Sequence, residues 1–174
     1  MESKDIIGKL KGNKGQLQAL KEEQRQLIIE LAKQLGEHLW ENYKLVYGYH
    51  SFSQVEVNRD AAQQQVIPLG YRLPTLEEYQ LLIDSTIYSF DETTKEGVFT
   101  WHSGYELRFP ALGCCRADDT PIAAYQNSGM FWSSTPKDTL NAYFLSFDNG
   151  RTGPYCLNDD RSLKCQAICI KQFF

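Results

Sequence analysis

Apolar residues in the first part of the chain recur at the three- and four-residue spacing of an amphipathic helix. From residue 16 to about residue 47 the chain is rich in Gln, Leu, Glu, Lys and Ala and contains no Pro, which favours a helix. The apolar positions form two stripes that shift by about one residue near Gln24. Their members are Leu17, Leu20, Leu27 and Leu31, and then Ile28, Ala32, Leu35 and Leu39. The pattern predicts a long N-terminal helix.

Two interpretations of this helix stay open. It could pack on its own domain, or it could form a short coiled coil that joins chains. A helix of about 30 residues spans roughly 45 Å, which is long for a helix lying on a small domain. We therefore predict a homo-oligomer, a trimer or a dimer, held together by an N-terminal helical oligomerisation or attachment segment over residues 1–45.

From about residue 46 onwards, short apolar runs alternate with turn residues, as is typical of short strands. The runs span residues 55–57, 98–101, 143–147 and 167–170. The tripeptide 148–150, Asp-Asn-Gly, predicts a hairpin after the third run. Thr75 and Glu78 have the spacing of a capping box, which predicts a helix that continues to Asp84. One or two helices followed by many strands predict an α+β domain over residues 46–174.

Composition separates the same two regions. The chain of 174 residues contains 22 aromatic side chains (3 Trp, 10 Tyr and 9 Phe), and none precedes Trp40. The net charge of −4 and the lack of a basic stripe argue against a dedicated nucleic-acid binder. No apolar run is long enough to predict a membrane-spanning helix. The acidic first residues, without an apolar run behind them, predict no Sec-type signal peptide.

Five segments in sequence order resemble the motifs of C-type-lectin-like domains. They are GYRLPTLEEY at 70–79, FPALG at 109–113, FWSST at 131–135, NAYFLSF at 141–147 and AICIK at 167–171. Such motifs occur in relatives of formylglycine-generating enzymes and in the Fibrobacter succinogenes major paralogous domain family. The resemblance covers about 100 residues and implies a C-type-lectin-like ligand-binding domain after the long helix. Ile168 replaces the usual Arg, and Cys114-Cys115 replaces a Gly-Tyr-like pair.

The resemblance also implies where a ligand would bind. The segment between Ser134 and Lys164 is similar to the variable region of diversity-generating retroelement target proteins, which display polar side chains on a rigid face. The candidate ligand-binding residues are Asp138, Asn141, Phe144, Ser146, Asp148, Asn149, Arg151, Thr152, Tyr155, Asn158, Asp159 and Arg161. Alternation along the strand at 143–147 places Phe144 and Ser146 on the exposed face. The alternative for any one of these residues is a solvated loop without a ligand.

The sequence leads us to assign no catalytic residue, no metal and no cofactor. The three histidines are scattered, and no Gly-x-Ser-x-Gly elbow occurs. Residues 158–160, Asn-Asp-Asp, could supply some oxygens to calcium, but the paired Glu-Pro-Asn or Gln-Pro-Asp motif of calcium-dependent lectins is missing. Five cysteines without a signal peptide do not predict a disulfide framework, and we interpret most of them as small buried apolar groups.

These observations together favour a non-enzymatic ligand-binding protein. Its lectin-like face is expected to recognise a cell-surface protein or glycan, and no nucleic acid or membrane span is expected. The predicted setting is a phage virion tail or a bacterial cell surface. The residues of the binding face are expected to be diversified by a retroelement in one version of this hypothesis. Two alternatives stay open, a formylglycine-generating-type enzyme with a copper-thiolate site and a purely structural virion or surface protein.

Overall fold

The computed structural model describes Leu20, Glu23 and residues 36–56, 66–122, 126–149 and 153–172. The chain divides into two compact units, Met1–Leu35 and Gly36–Phe174. Leu20 and Glu23, the described residues of the first unit, are helical and exposed. The other members of the predicted stripes up to Leu35 lie outside the described residues. Everything that follows concerns the second unit.

Strands dominate the part of the chain that the structure describes. They account for 50% of it, whereas helices account for 17% and form three short segments. The prediction of an α+β fold with a long N-terminal helix is therefore wrong. Residues 36–40 are helical, but a strand begins at Lys44, where the sequence pattern continues the helix to about residue 47. This strand exists because residues 44–46 pair with residues 167–169, which local propensity cannot foresee.

After residue 43, the described part of the chain contains nine strands and two helices. The strands are β1 (Lys44–Ser51), β2 (Tyr71–Arg72), β3 (Thr86–Asp91), β4 (Glu96–Trp101), β5 (Glu106–Pro110), β6 (Ser128–Pro136), β7 (Asn141–Asp148), β8 (Tyr155–Asp160) and β9 (Lys164–Lys171). The helices are α1 (Phe52–Glu56) and α2 (Leu76–Ser85). The predicted strand at 55–57 is wrong, because Val55 and Glu56 belong to α1 and Val57 lies outside the described residues.

The strands form two sheets. The larger has the order β1-β9-β6-β7-β8, with β2 also pairing with β9, and the smaller has the order β3-β4-β5. Within the larger sheet β9 runs parallel to β6 and antiparallel to β1. The predicted hairpin after residue 147 is confirmed, because β7 and β8 pair antiparallel.

Helix α2 begins as the sequence predicts. Thr75 caps it, since the Thr75 Oγ1 accepts from the Glu78 amide at 3.2 Å and the Thr75 amide donates to Glu78 Oε2 at 2.8 Å. Arg72 donates two hydrogen bonds, of 2.7 and 2.6 Å, to the same Glu78 carboxylate. The segment before the helix is thereby tied to the first turn. Tyr79 and Leu82 are the fully buried side chains of the helix.

Two apolar clusters flank the central strands, one on each face. On β7, Leu145 and Phe147 belong to the first cluster, and Ala142 and Phe144 belong to the second. The first cluster consists of Trp40, Tyr79, Leu82, Phe99, Trp101, Leu107, Phe109, Ala111, Phe131, Leu145, Phe147, Ile168 and Ile170. The second consists of Phe52, Val55, Ile67, Leu73, Cys114, Trp132, Ala142, Phe144, Cys165, Ala167 and Cys169. A strand covered on both faces has no solvated side.

Trp132 anchors the second cluster. Its ring packs edge-on against Phe52 and Phe144, with centroids 5.6 and 5.7 Å away. The indole N–H donates to the carbonyl of His50 at 2.9 Å, and the Trp132 carbonyl accepts from the Tyr79 hydroxyl at 3.3 Å. Trp132 is thus fully buried while its indole N–H keeps a hydrogen-bond partner.

Candidate functional site

Apart from Phe144 and Ser146 inside β7, the described candidate ligand-binding residues fall at the two ends of the β7–β8 hairpin. Asn141 pairs with Asp160 at one end, whereas Ser146 pairs with Tyr155 near the other. The eight residues of β7 separate these ends by about 23 Å at 3.3 Å per residue. The structure therefore divides the predicted set into two groups instead of one continuous face.

The first group forms a polar patch where β6 meets β7 and where β8 ends. We call it the hairpin-end surface. It consists of Lys137, Asp138, Asn141, Asn158, Asp159 and Arg161. Lys137 Nζ donates to Asn158 Oδ1 at 2.8 Å, across the two strands. Arg161 Nε donates to the Asn141 carbonyl at 3.3 Å. Five of the twelve predicted residues, together with Lys137, are thus brought together here.

Asp138 organises the turn of this surface. Its Oδ1 accepts from the amides of Leu140 and Asn141 at 2.8 and 2.7 Å, and its two oxygens accept from Asn141 Nδ2 at 3.1 Å each. These hydrogen bonds, first of all the one from the Asn141 side chain, lower the pKa of Asp138. The carboxylate is therefore charged and fixed in place at neutral pH.

Two neighbouring aspartates accept hydrogen bonds from backbone amides that follow them in the chain. Asp159 Oδ1 accepts from the Asp160 amide at 2.8 Å, and Asp160 Oδ1 accepts from the Ser162 amide at 2.7 Å. The Ser162 hydrogen bonds lower the pKa of Asp160. Both residues are exposed, so their carboxylates lie at the protein surface.

The second group lies at the turn of the hairpin. The Tyr88 hydroxyl donates to the Asp148 carbonyl, and the Asn149 amide donates to the Asn127 carbonyl at 3.0 Å. Asn149 is exposed, and Tyr155 is half-buried. The two remaining predicted residues of this turn, Arg151 and Thr152, lie outside the described residues.

Phe144 and Ser146 are not exposed, so their predicted place on a binding face is wrong. Their side chains are 3% and 4% accessible, and Phe144 packs against Trp132 in the second cluster. The alternation along β7 is correct, but both of its faces are covered. Tyr143, on the other side of the strand from these two residues, is half-buried.

A cavity of about 670 Å³ opens beside the hairpin-end surface. Its described walls are Phe52, Val55, Ile67, Tyr71, Arg72, Leu73, Thr75, Ser134, Pro136 and Gln172. The Arg161 guanidinium lies 4.7 Å from the centre of the Phe52 ring, and the Phe52 amide donates to the Arg161 carbonyl at 3.1 Å. Arg161 therefore links the apolar wall of the cavity to the polar surface next to it.

Sequence reasoning missed this cavity, although its polar rim comes from two of the recognised motifs. The segment at 70–79 supplies Arg72 and Thr75, and the segment at 131–135 supplies Ser134. The two segments meet where the Ser134 amide donates to the Pro74 carbonyl at 2.7 Å. The only signal in the sequence was that both segments matched motifs of the same family. Their spacing along the chain does not show that they meet in the fold.

Within the described ranges, no group of three or more His, Cys, Asp or Glu side chains is arranged to hold a metal ion. No helix of the described residues has the length and apolarity to cross a membrane. No family model, curated protein or solved structure matches the chain.

Proposed function

We propose that this protein is a non-enzymatic ligand-binding protein and that its hairpin-end surface contacts a cell-surface protein or glycan. The observation that carries the proposal is the contrast between the exposed polar side chains of this surface and the buried strand that supports them. Charged and amide side chains are exposed at the end of β7 and along β8, while β7 itself is covered on both faces by the two apolar clusters. Polar groups held by a rigid scaffold lose little conformational entropy when they bind.

The chemistry of the surface suits a ligand rich in hydroxyl or amide groups. Asp138 and Asp159 offer carboxylate oxygens, Asn141 and Asn158 belong to the same patch, and Arg161 adds a cation. Leu140, 70% exposed, adds an apolar contact in the same turn. Oriented hydrogen-bonding groups around an exposed apolar side chain are typical of recognition surfaces. The resemblance to C-type-lectin-like domains supports the same proposal.

The proposal is tested with the full chain on a glycan array and on purified surface proteins of candidate host cells. We expect the double variant Asn158→Ala, Asp159→Ala to weaken binding at least tenfold, the effect of about 1.4 kcal/mol. Thr93→Ala, an exposed change in the β3–β4 turn of the smaller sheet, is the control and is expected to change the Kd less than twofold. A folded chain that binds neither glycans nor surface proteins would favour the structural alternative.

The enzymatic alternative makes a different prediction. A formylglycine-generating-type enzyme holds copper through a pair of thiolates, so it would bind Cu(I) tightly and stoichiometrically. The binding-protein proposal expects no stoichiometric Cu(I) uptake by the reduced chain in a competition assay with a chromogenic chelator. Uptake of one equivalent that disappears when cysteines are replaced would support the enzyme instead.

We propose a phage virion tail or a bacterial cell surface as the setting, with the chain as a trimer or dimer. Several copies on one particle would multiply weak contacts through effective concentration. The resemblance to retroelement target proteins supports diversification of residues between 134 and 164. A reverse transcriptase gene and a near-copy of the 3′ end beside the coding sequence would establish that origin, and light scattering on the full chain measures the oligomer.

A further inference from the structure

Two buried cysteines face each other across neighbouring backbone segments. Cys115 and Lys164 form an antiparallel bridge and exchange two backbone hydrogen bonds of 2.9 Å each. The residues next to this bridge, Cys114 and Cys165, occupy the positions of a non-hydrogen-bonded pair in an antiparallel register. Such pairs bring their Cα atoms to about 4.5 Å and their side chains onto the same face. A disulfide needs a Cα separation of about 4.4–6.8 Å, so the register satisfies its geometry.

Cys114 and Cys165 also share one environment. They are 3% and 0% exposed, and both belong to the second apolar cluster. All five cysteines are free thiols in this structure. The other buried cysteine of this segment, Cys115, alternates to the opposite side of the chain.

We propose that Cys114 and Cys165 are a disulfide-forming site that fastens β9 to the segment before β6 when the protein meets an oxidising environment. The partner in the reaction is a disulfide oxidant, either a small-molecule disulfide or a thiol–disulfide oxidoreductase.

The two thiols have unequal roles in this reaction. Interaction with the Cys165 thiol lowers the pKa of Cys114, and the same interaction together with burial raises the pKa of Cys165 well above its ordinary value. Cys114 is therefore the better thiolate. The exposed turn at 116–121 begins two residues after it, so a local opening of that turn gives an oxidant access.

The step balances as a double exchange. The Cys114 thiolate attacks one sulfur of the oxidant, forms a mixed disulfide and expels the other sulfur as a thiolate. Cys165 then loses its proton to solvent and attacks Cys114 Sγ, which releases the second half of the oxidant as a thiolate. Overall, two protein thiols and one disulfide become one protein disulfide and two small thiols. The protein loses two protons and two electrons, which the oxidant gains.

The experiment uses the full chain, purified under reducing conditions and then incubated with oxidised glutathione. The chain is denatured, its remaining thiols are alkylated with N-ethylmaleimide, and the product is analysed by mass spectrometry. Five cysteines minus the two that are joined leave three alkylated thiols. Trypsin should then yield one crosslinked pair of peptides, 109–116 with 165–171, because cleavage follows Arg108, Arg116, Lys164 and Lys171.

Each tryptic peptide also contains a second cysteine, which provides matched controls. Cys114→Ala and Cys165→Ala should abolish the crosslink, whereas Cys115→Ala and Cys169→Ala should retain it. Alanine is chosen because buried free cysteine behaves as a small apolar group. Five alkylated thiols after oxidation, or a crosslink that depends on Cys115 or Cys169, would overturn the proposal.

The melting temperature shows whether the Cys114–Cys165 disulfide fits the native fold or strains it. The bond closes a loop of about 50 residues, for which we expect the oxidised chain to melt about 5–10 °C higher than the reduced chain. A melting temperature that falls on oxidation would mean that the bond distorts the fold, and that result would also overturn the proposal.

Discussion

Thr75 shows how much a single residue decides locally. Its hydroxyl and amide both bond to Glu78, whose carboxylate also binds Arg72. All of these contacts join residues within six positions of one another. That locality is the reason why the sequence alone predicts the start of α2 correctly.

We expect Thr75→Ala to lower the free energy of unfolding by about 1 kcal/mol, because the Glu78 amide loses its acceptor. The midpoint of urea denaturation, followed by circular dichroism, measures the change. Thr93→Ala, at an exposed threonine in the β3–β4 turn, is the control and should leave the midpoint within about 0.5 kcal/mol of the parent. Equal effects of the two changes would show that the cap is not stabilising.

Phe144 shows the opposite case at the same scale. The sequence predicts its position on β7 and the side of the strand that it occupies. Its burial depends on Trp132 and on the second cluster, which are contributed by other elements. Alternation assigns a residue to a face, but only the packed molecule shows whether that face meets solvent.

At the scale of elements, the two sheets approach each other through glycine. Phe147 of β7 lies beside Gly129 of β6 and Gly97 of β4, and its ring stacks at 6.0 Å on Phe131. A Cβ at Gly129 would lie 2.2 Å from the Phe147 ring, and one at Gly97 would lie 2.7 Å from it. The ring therefore occupies the space that two absent side chains leave free.

We expect Gly129→Ala to destabilise the fold by about 3 kcal/mol, because Phe147 would have to leave its position between the sheets. Chemical denaturation measures the loss. Gly153→Ala, where an added Cβ meets no atom within 4 Å, should be close to neutral. A stable Gly129→Ala chain would contradict the close approach of the sheets.

The elements also show where sequence reasoning stops. Strands β4, β7 and β9 were predicted from their own apolar runs, and the β7–β8 hairpin from the turn residues after β7. The sequence does not predict strand β1. The composition around residue 44 favours a helix, but pairing with β9 makes this segment a strand. Helix α1 was missed for a similar reason, since Phe52 and Val55 are fixed by the second cluster.

At the scale of the whole molecule, the boundary of the second unit is set by Trp40. The sequence places the boundary after residue 45, whereas the compact unit begins at Gly36. Trp40 is fully buried, with ring centroids 5.7 Å from Tyr79 and 6.0 Å from Phe109. A domain that starts at residue 46 would lack this side chain and two residues of β1.

We expect a fragment of residues 36–174 to fold with near-native stability and a fragment of residues 46–174 to be destabilised by at least about 3–5 kcal/mol. That loss is a large fraction of the stability of an ordinary domain. Tryptophan fluorescence during urea denaturation compares the two. Equal stability of both fragments would show that Trp40 does not belong to the core. Light scattering on the full chain and on residues 36–174 reports in addition whether residues 1–35 hold chains together.

The position of β9 has a consequence for how the molecule is made. This strand lies between β1 and β6, so it joins segments that the ribosome finishes much earlier. The pair Lys44 and Cys169 is separated by 169 − 44 = 125 positions. Until residues 164–171 leave the exit tunnel, β1 and β6 have no shared neighbour, and both present open edges. Assembly of the larger sheet therefore waits until β9 has emerged from the ribosome, and a nascent chain stalled before that point is exposed to aggregation.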